Sequence, residues 1–174
     1  MNSTSRQLFY LCRTMLKYRL LTDDELKELE NEFKQFLIVN EIYDEEWRKL
    51  NAEKSEKVGE LVIMFSNLVI EKSLKRIQYL EIATSEGINA YHCKDNEIEL
   101  IGISTQQTGI DFLSLTPDEL STTPLSIFMT SKKYDKEREA TVFEMLNSGC
   151  GIIDEKRFGQ LKLAYEYSTK PRQN

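Results

Sequence analysis

In the first half of the chain, apolar side chains recur every three or four residues, which is the spacing of amphipathic helices. Thr22 and Glu25 have the pattern of a capping box, and the apolar stripe behind them predicts a helix to about Val39. Asp44 is predicted to cap a second helix that carries Trp47. Two further stretches continue the helical spacing, residues 58–69 and 74–83.

The period changes after Gly87, where apolar and polar residues begin to alternate as in strands. Residues 88–93 and 98–103 predict a β-hairpin around a polar turn, and residues 125–130 predict a third strand. Later helices are predicted to begin at the N-caps Thr116, Asp135 and Asp154, with Gly149 closing the second of them. The pattern therefore predicts an α+β fold. We expect a helical N-terminal half packed with a small, mainly antiparallel three-stranded sheet and two C-terminal helices.

The sequence gives few indications of domain boundaries. We interpret residues 1–14 as a frayed N-terminal extension and residues 169–174 as a mobile polar tail. Between them, residues 15–168 contain no repeat and no linker-like stretch, so we expect a single α+β domain.

Charge is unevenly distributed along the chain. The net charge is −6, but residues 20–60 hold thirteen acidic and six basic side chains, so the remainder is close to neutral. An acidic protein is a poor general ligand for phosphate backbones. Three cysteines (Cys12, Cys93 and Cys150) form no disulfide framework, and no apolar run reaches the length of a membrane span. These features favour a cytoplasmic protein that does not enter a membrane.

The residues that usually build catalytic and metal sites are scarce. His92 is the only histidine, and on a strand its side chain points away from that of Cys93. The acidic clusters stand at helix starts, where capping and the helix dipole already explain them. Glycine-rich phosphate loops and zinc-ligand spacings do not occur. We therefore expect no catalytic residue, no cofactor and no metal.

The first of two candidate binding surfaces is acidic. It consists of Glu28, Glu32 and Glu46 with the aromatic residues Tyr43 and Trp47, and we call it the acidic surface. Such a surface could attract a basic partner and offer an aromatic anchor. The alternative is a solvated helix face with Trp47 packed in the core.

The second candidate is basic and lies where a strand is predicted to lead into a helix. It consists of Lys132, Lys133, Tyr134, Lys136 and Arg138, and we call it the basic segment. It could bind phosphate, RNA or an acidic partner. The alternative is a solvated turn ahead of a helix that Asp135 caps.

From Met15 onward, several segments of the chain resemble one protein family. They are residues 16–22, 32–37, 45–47, 64–69, 75–81 and 128–134. Together they resemble a family of small uncharacterised bacterial proteins, a domain of unknown function. The resemblance implies a bacterial, cytoplasmic, stand-alone domain and transfers no activity.

These observations favour a non-enzymatic protein-interaction module, an accessory or regulatory subunit of a cytoplasmic bacterial complex with a protein partner. An RNA-binding or ribosome-associated factor that uses the basic segment is the alternative. An enzyme with a dispersed site is the third hypothesis. The sequence predicts no oligomeric state.

Overall fold

The computed structural model describes residues 16–105 and 109–169, with the backbone alone at positions 117, 120 and 121. The predicted N-terminal extension and most of the predicted tail lie outside these ranges, although Thr169 still belongs to a helix. The chain divides into two compact units between Ser73 and Leu74. Each unit is described by itself, and the single-domain prediction stays a prediction.

The first unit is helical. Its helices are α1 (Asp23–Glu28), α2 (Glu30–Val39), α3 (Asp44–Ala52) and α4 (Glu56–Arg76), the last of which continues into the second unit. The capping box at the start of α1 is confirmed: Thr22 Oγ1 accepts from the Glu25 N–H at 3.2 Å, and Glu25 Oε2 accepts from the Thr22 N–H at 2.8 Å. These reciprocal bonds satisfy donors that a helix start would otherwise leave unpaired.

Three details of the predicted helices in this unit are wrong. The single helix expected up to Val39 is interrupted at Leu29, whose backbone leaves helical values (φ −100°, ψ 22°), so α1 and α2 are separate. The N-cap of α3 is Tyr43 and not Asp44, which is already the first helical residue. Helix α4 is also longer than the predicted segment of residues 58–69.

The core of the first unit combines aliphatic and aromatic side chains. Leu37, Ile42 and Leu61 are buried at its centre. Phe33 contacts three other rings, with centroids 6.2 Å from Phe36, 5.4 Å from Trp47 and 4.9 Å from Phe65. Phe65 is only 2% exposed, which agrees with the strongly apolar centre of α4.

The second unit contains an antiparallel five-stranded sheet. Its strands are β1 (Tyr79–Thr84), β2 (Gly87–Cys93), β3 (Glu97–Thr105), β4 (Leu125–Lys133) and β5 (Gly151–Ile152). Their order across the sheet is β4-β3-β2-β1-β5. The predicted hairpin is confirmed as β2 and β3, and the predicted third strand is β4, which extends to Lys133.

The α+β class is confirmed, but the predicted number of three strands is wrong. Residues 79–83 were expected to continue a helix, whereas β1 pairs with β2 on one side and with β5 on the other. Leu80 in β1 is completely buried. Pairing on both sides outweighs the local helical pattern because strand propensity depends strongly on tertiary context. The two residues of β5 are too few to leave an alternating pattern.

Within the described residues, three α-helices accompany the sheet: α5 (Pro117–Thr122), α6 (Arg138–Asn147) and α7 (Glu155–Thr169). A short 3-10 helix spans Phe112–Ser114. The predicted N-caps Thr116 and Asp154 are confirmed, each accepting from a backbone N–H three residues on. The N-cap of α6 is Glu137, so the prediction for Asp135 is wrong. Gly149 follows α6 with φ +96°, a value that glycine adopts readily and that closes the helix as predicted.

Helix α7 covers one face of the sheet. Phe158 and Leu161 are buried with Ala90 of β2 and Ile101 of β3, and together they form the core of this unit. On the opposite face, the Phe128 ring occupies the space next to Gly102, where a Cβ atom would come within 2.3 Å of it. Phe128 nevertheless remains 44% exposed.

Candidate functional site

The three glutamates of the acidic surface are exposed but lie on three different helices. Glu28 ends α1, Glu32 is in α2 and Glu46 is in α3. The helix is interrupted at Leu29, so Glu28 and Glu32 lie on two helices and do not share one helix face. Glu46 forms an ion pair with Lys57 at 3.3 Å. Glu28 and Glu32 have no ion-pair partner among the described residues.

The two aromatic residues of the acidic surface differ in accessibility. Trp47 packs edge-on against Phe33 as part of the core, so the alternative interpretation of this residue agrees with the structure. Tyr43 stands at the start of α3 and is 62% exposed. Tyr43 is therefore the more accessible of the two aromatic side chains.

A groove lies between α2 and α3, and the sequence did not reveal it. Its volume is about 390 Å³. The apolar part of its lining comes from Phe33, Leu37, Ile38, Ile42, Tyr43 and Trp47. Glu30, Lys34 and Asp44 add charged side chains, and the first two of these form an ion pair at 2.6 Å. We call this feature the α2–α3 groove.

Two exposed apolar side chains stand at the end of α2. Ile38 is 48% exposed and Val39, at the end of α2, is 80% exposed. Ile38 and the exposed Tyr43 both line the α2–α3 groove. Single exposed apolar residues are common on proteins, whereas apolar residues grouped at a concave site are typical of a binding surface. The positions of Ile38 and Val39 in the sequence do not reveal such a site. They do not show which side chains of α3 lie beside α2.

The basic segment lies where a strand leads into a helix, as the sequence predicts: β4 ends at Lys133 and α6 begins at Arg138. Lys132 and Lys133 are the last two residues of β4 and are exposed. Lys132 forms an ion pair with Asp135, and Lys136 forms one with Glu144. Lys133 has no ion-pair partner among the described residues. Neighbouring carboxylates therefore offset much of the positive charge of this segment.

Tyr134 and Arg138 of the basic segment point inward and hold the backbone. The Tyr134 hydroxyl donates to the Lys94 carbonyl at 2.9 Å. The Arg138 guanidinium donates to the carbonyls of Cys93 at 2.9 Å and Leu74 at 3.2 Å, and also to that of Ile77. The Arg138 side chain is only 10% exposed. Its charge is thus committed to the fold, contrary to the partner-binding role considered for it.

His92 lies in a cluster of ionisable and aromatic side chains on the face that α7 covers. Its ring stacks on Tyr79 at 4.5 Å and meets Phe158 edge-on at 5.6 Å. Glu99 Oε2 is 3.9 Å from His92 Nδ1, and Glu99 also pairs with Lys94 at 3.4 Å. Burial lowers the pKa of His92, although the Glu99 carboxylate opposes this effect. The contacts of its ring with Tyr79 and Phe158 make His92 a packing residue of this cluster.

The described thiols do not have the character of nucleophiles. Burial raises the pKa of Cys93 to about 11, and burial also raises the pKa of Cys150. Cys12 lies outside the described residues. Within residues 16–105 and 109–169, no three His, Cys, Asp or Glu side chains are grouped as metal ligands. In the same ranges, every helix is too short or too polar to cross a lipid bilayer.

The fold and its surfaces define the class of this protein: an α+β chain with a helical unit that carries an apolar groove and a second unit built on an antiparallel sheet. The chain belongs to the family of unknown function (DUF6495), whose model matches residues 15–166. This confirms the resemblance that begins at Met15. No curated protein and no solved structure matches the chain.

Proposed function

We propose that this protein is a non-enzymatic interaction module whose α2–α3 groove binds a segment of a partner protein. The observation that carries the proposal is the pair of exposed apolar side chains, Ile38 and Tyr43, that line a groove of about 390 Å³. An exposed tyrosine beside a pocket is typical of the anchors that dominate binding energies. The role of an accessory or regulatory subunit in the bacterial cytoplasm is part of this proposal.

Charge complementarity defines the partner segment. Residues 20–60 carry a net charge of −7, and Glu28 and Glu32 remain without an ion-pair partner among the described residues. The partner segment accordingly has one or two apolar anchors flanked by lysine or arginine. Long-range attraction would then speed association, while the apolar contact would supply most of the affinity.

Two variants test the anchor and the charge separately. Tyr43→Ala removes the exposed ring, and the triple charge reversal Glu28→Lys, Glu32→Lys and Glu46→Lys inverts the acidic surface. Tyr167→Ala is the matched control, because Tyr167 is 71% exposed on α7 of the other unit. Each protein is used for affinity capture from the native cell, and the captured protein is then purified for calorimetric binding.

We expect one stoichiometric partner. Tyr43→Ala should lose at least tenfold in affinity, because truncating an anchor residue costs ~1.4 kcal/mol or more, whereas the control should lose none. The triple variant should bind more weakly at low salt and lose most of the salt dependence. Equal binding by Tyr43→Ala and the wild type would exclude the α2–α3 groove as the docking site.

The RNA-binding alternative has less support. Of its five residues, Tyr134 and Arg138 hold the backbone, and Lys132 and Lys136 already pair with carboxylates. RNA binding depends on neutralising phosphates, which needs basic side chains that are free to pair with them. The nucleic acid recovered in the same capture experiment provides the test of this alternative.

A further inference from the structure

Strand β4 leaves one side of its backbone unpaired among the described residues. It forms the edge of the sheet, and its other side pairs with β3 over nine residue pairs in one unbroken register, from Glu97 with Lys133 to Thr105 with Leu125. No bulge interrupts this ladder. The free side therefore presents a row of backbone N–H and C=O groups along nine residues, longer than the typical strand of about five to six.

Proteins usually protect such an edge, and here the two edges differ. The opposite edge is β5, which has only two residues. Edges are otherwise blunted by proline, bulges or charged residues. None of these occurs from Leu125 to Ser131, which is a run of seven uncharged residues that includes the half-exposed Phe128. Only Lys132 and Lys133, at one end, carry charge.

A second extended strand can pair with all of these backbone groups at once, so the occupant that fits this edge is a β-strand. The position of the two lysines favours a second copy of β4 in antiparallel orientation. In a parallel pair, Lys132 and Lys133 would face the same lysines of the other copy. In an antiparallel pair centred on Met129, they face Ser126 and Leu125, and the like charges lie at opposite ends.

We propose that β4 is the interface of a homodimer, in which two copies of the strand pair antiparallel about Met129 and join their sheets into one. Phe128 faces Thr130 of the second copy and lies diagonally next to its Phe128, within reach of aromatic contact. The arrangement is two-fold symmetric and closed, as in most homodimers. This proposal concerns a different surface from the α2–α3 groove and does not depend on it.

Substitutions of Ser126 test the proposed register, because the register predicts whether each one strengthens or weakens the dimer. In the proposed register Ser126 faces Lys132 of the second copy, and symmetry creates this pair twice. Within its own sheet Ser126 pairs with the uncharged Ser104. Ser126→Glu would thus place two opposite-charge pairs across the dimer, and Ser126→Lys would place two like-charge pairs there. Gln160→Glu and Gln160→Lys, at an exposed position on α7, are the matched controls.

Sedimentation equilibrium on the full chain, from about 1 to 200 μM at low salt, measures the dissociation constant of the dimer. We expect a dimer for the wild type, tighter association for Ser126→Glu and weaker association for Ser126→Lys, each by roughly 2–30-fold, and no change for the controls. Circular dichroism confirms that each variant is folded.

Three results would overturn the proposal. They are a wild type that stays monomeric over this range, effects of the same sign for Ser126→Glu and Ser126→Lys, and a dimer that neither substitution changes. A monomer that binds an extended peptide along β4 would assign the edge to a different partner. Loss of the dimer with intact partner binding by the α2–α3 groove would leave the proposed function standing.

Discussion

Ser66 is fully buried on α4, although a serine hydroxyl gains little from leaving water. Its Oγ atom accepts a hydrogen bond from the backbone N–H of Leu21 at 3.1 Å. Leu21 is itself buried, so its N–H has no access to bulk water. A polar residue inside the strongly apolar centre of α4 is therefore explained by one long-range hydrogen bond that holds the segment before α1.

Ser66→Ala should reduce the free energy of unfolding by about 1–3 kcal/mol, because it leaves the buried Leu21 N–H without an acceptor. Urea denaturation followed by circular dichroism measures the change. Ser73→Ala is the control on the same helix, since Ser73 is exposed and donates only to the Val69 carbonyl one turn earlier. Equal stability of Ser66→Ala and Ser73→Ala would show that the Leu21 contact contributes little.

Glu25 combines two interactions at the start of α1. Its carboxylate accepts two hydrogen bonds from Arg19, both at 2.7 Å, as well as the bond from Thr22. The Arg19 hydrogen bonds first, and the Thr22 N–H second, lower the pKa of Glu25 from 4.5 to about 2. A depressed carboxyl pKa stabilises the folded state when the carboxylate is charged in both states.

The contribution of Glu25 to stability is therefore complete above about pH 4.5 and is lost as the pH falls towards 2. We expect Glu25→Gln to be less stable than the wild type at pH 6. Its free energy of unfolding should also decline less than that of the wild type as the pH falls from about 4.5 towards 2. Arg19→Gln should reproduce part of the effect, because it removes the largest cause of the shift. Denaturant midpoints at several pH values supply the measurement, and parallel curves for wild type and Glu25→Gln would contradict the expectation.

Among the elements, the end of α4 and the end of β2 are joined through α6. Arg138, the first residue of α6, donates to the Leu74 carbonyl in the last turns of α4 and to the Cys93 carbonyl at the end of β2. The last carbonyls of a helix have no partner within the helix. Arg138 supplies one of them with a charged donor and connects three elements.

Arg138→Met keeps much of the apolar stem but removes the donors from these carbonyls. We expect a loss of about 2–4 kcal/mol in the free energy of unfolding, since hydrogen bonds from charged groups contribute about 1.5–3 kcal/mol each and are not additive. Lys156→Met, at an exposed position on α7, should change stability by less than about 0.5 kcal/mol. If Arg138→Met leaves the free energy of unfolding unchanged, water molecules take over the hydrogen bonds of the guanidinium.

For the whole molecule, the predicted fold class and several of its parts are confirmed. The capping box at Thr22, the N-cap at Thr116 and the β2–β3 hairpin occur where the sequence predicts them. The prediction failed at β1 and β5, and it placed Arg138 in a binding segment. The α2–α3 groove was also missed, because a groove depends on how two helices pack.

The features that the sequence by itself determined are local. A capping box needs only residues three positions apart, a hairpin needs a turn between two alternating segments, and the acidic character of residues 20–60 is a property of composition. The tertiary structure decided what depends on distant partners. Strand β1 is a strand because β2 and β5 pair with it, and Trp47 is partly buried because it packs against Phe33 and the core of the first unit. Arg138 is internal because three carbonyls converge on it. Their partners lie outside the reach of local hydrogen bonds and periodicity, so only the folded chain brings them together.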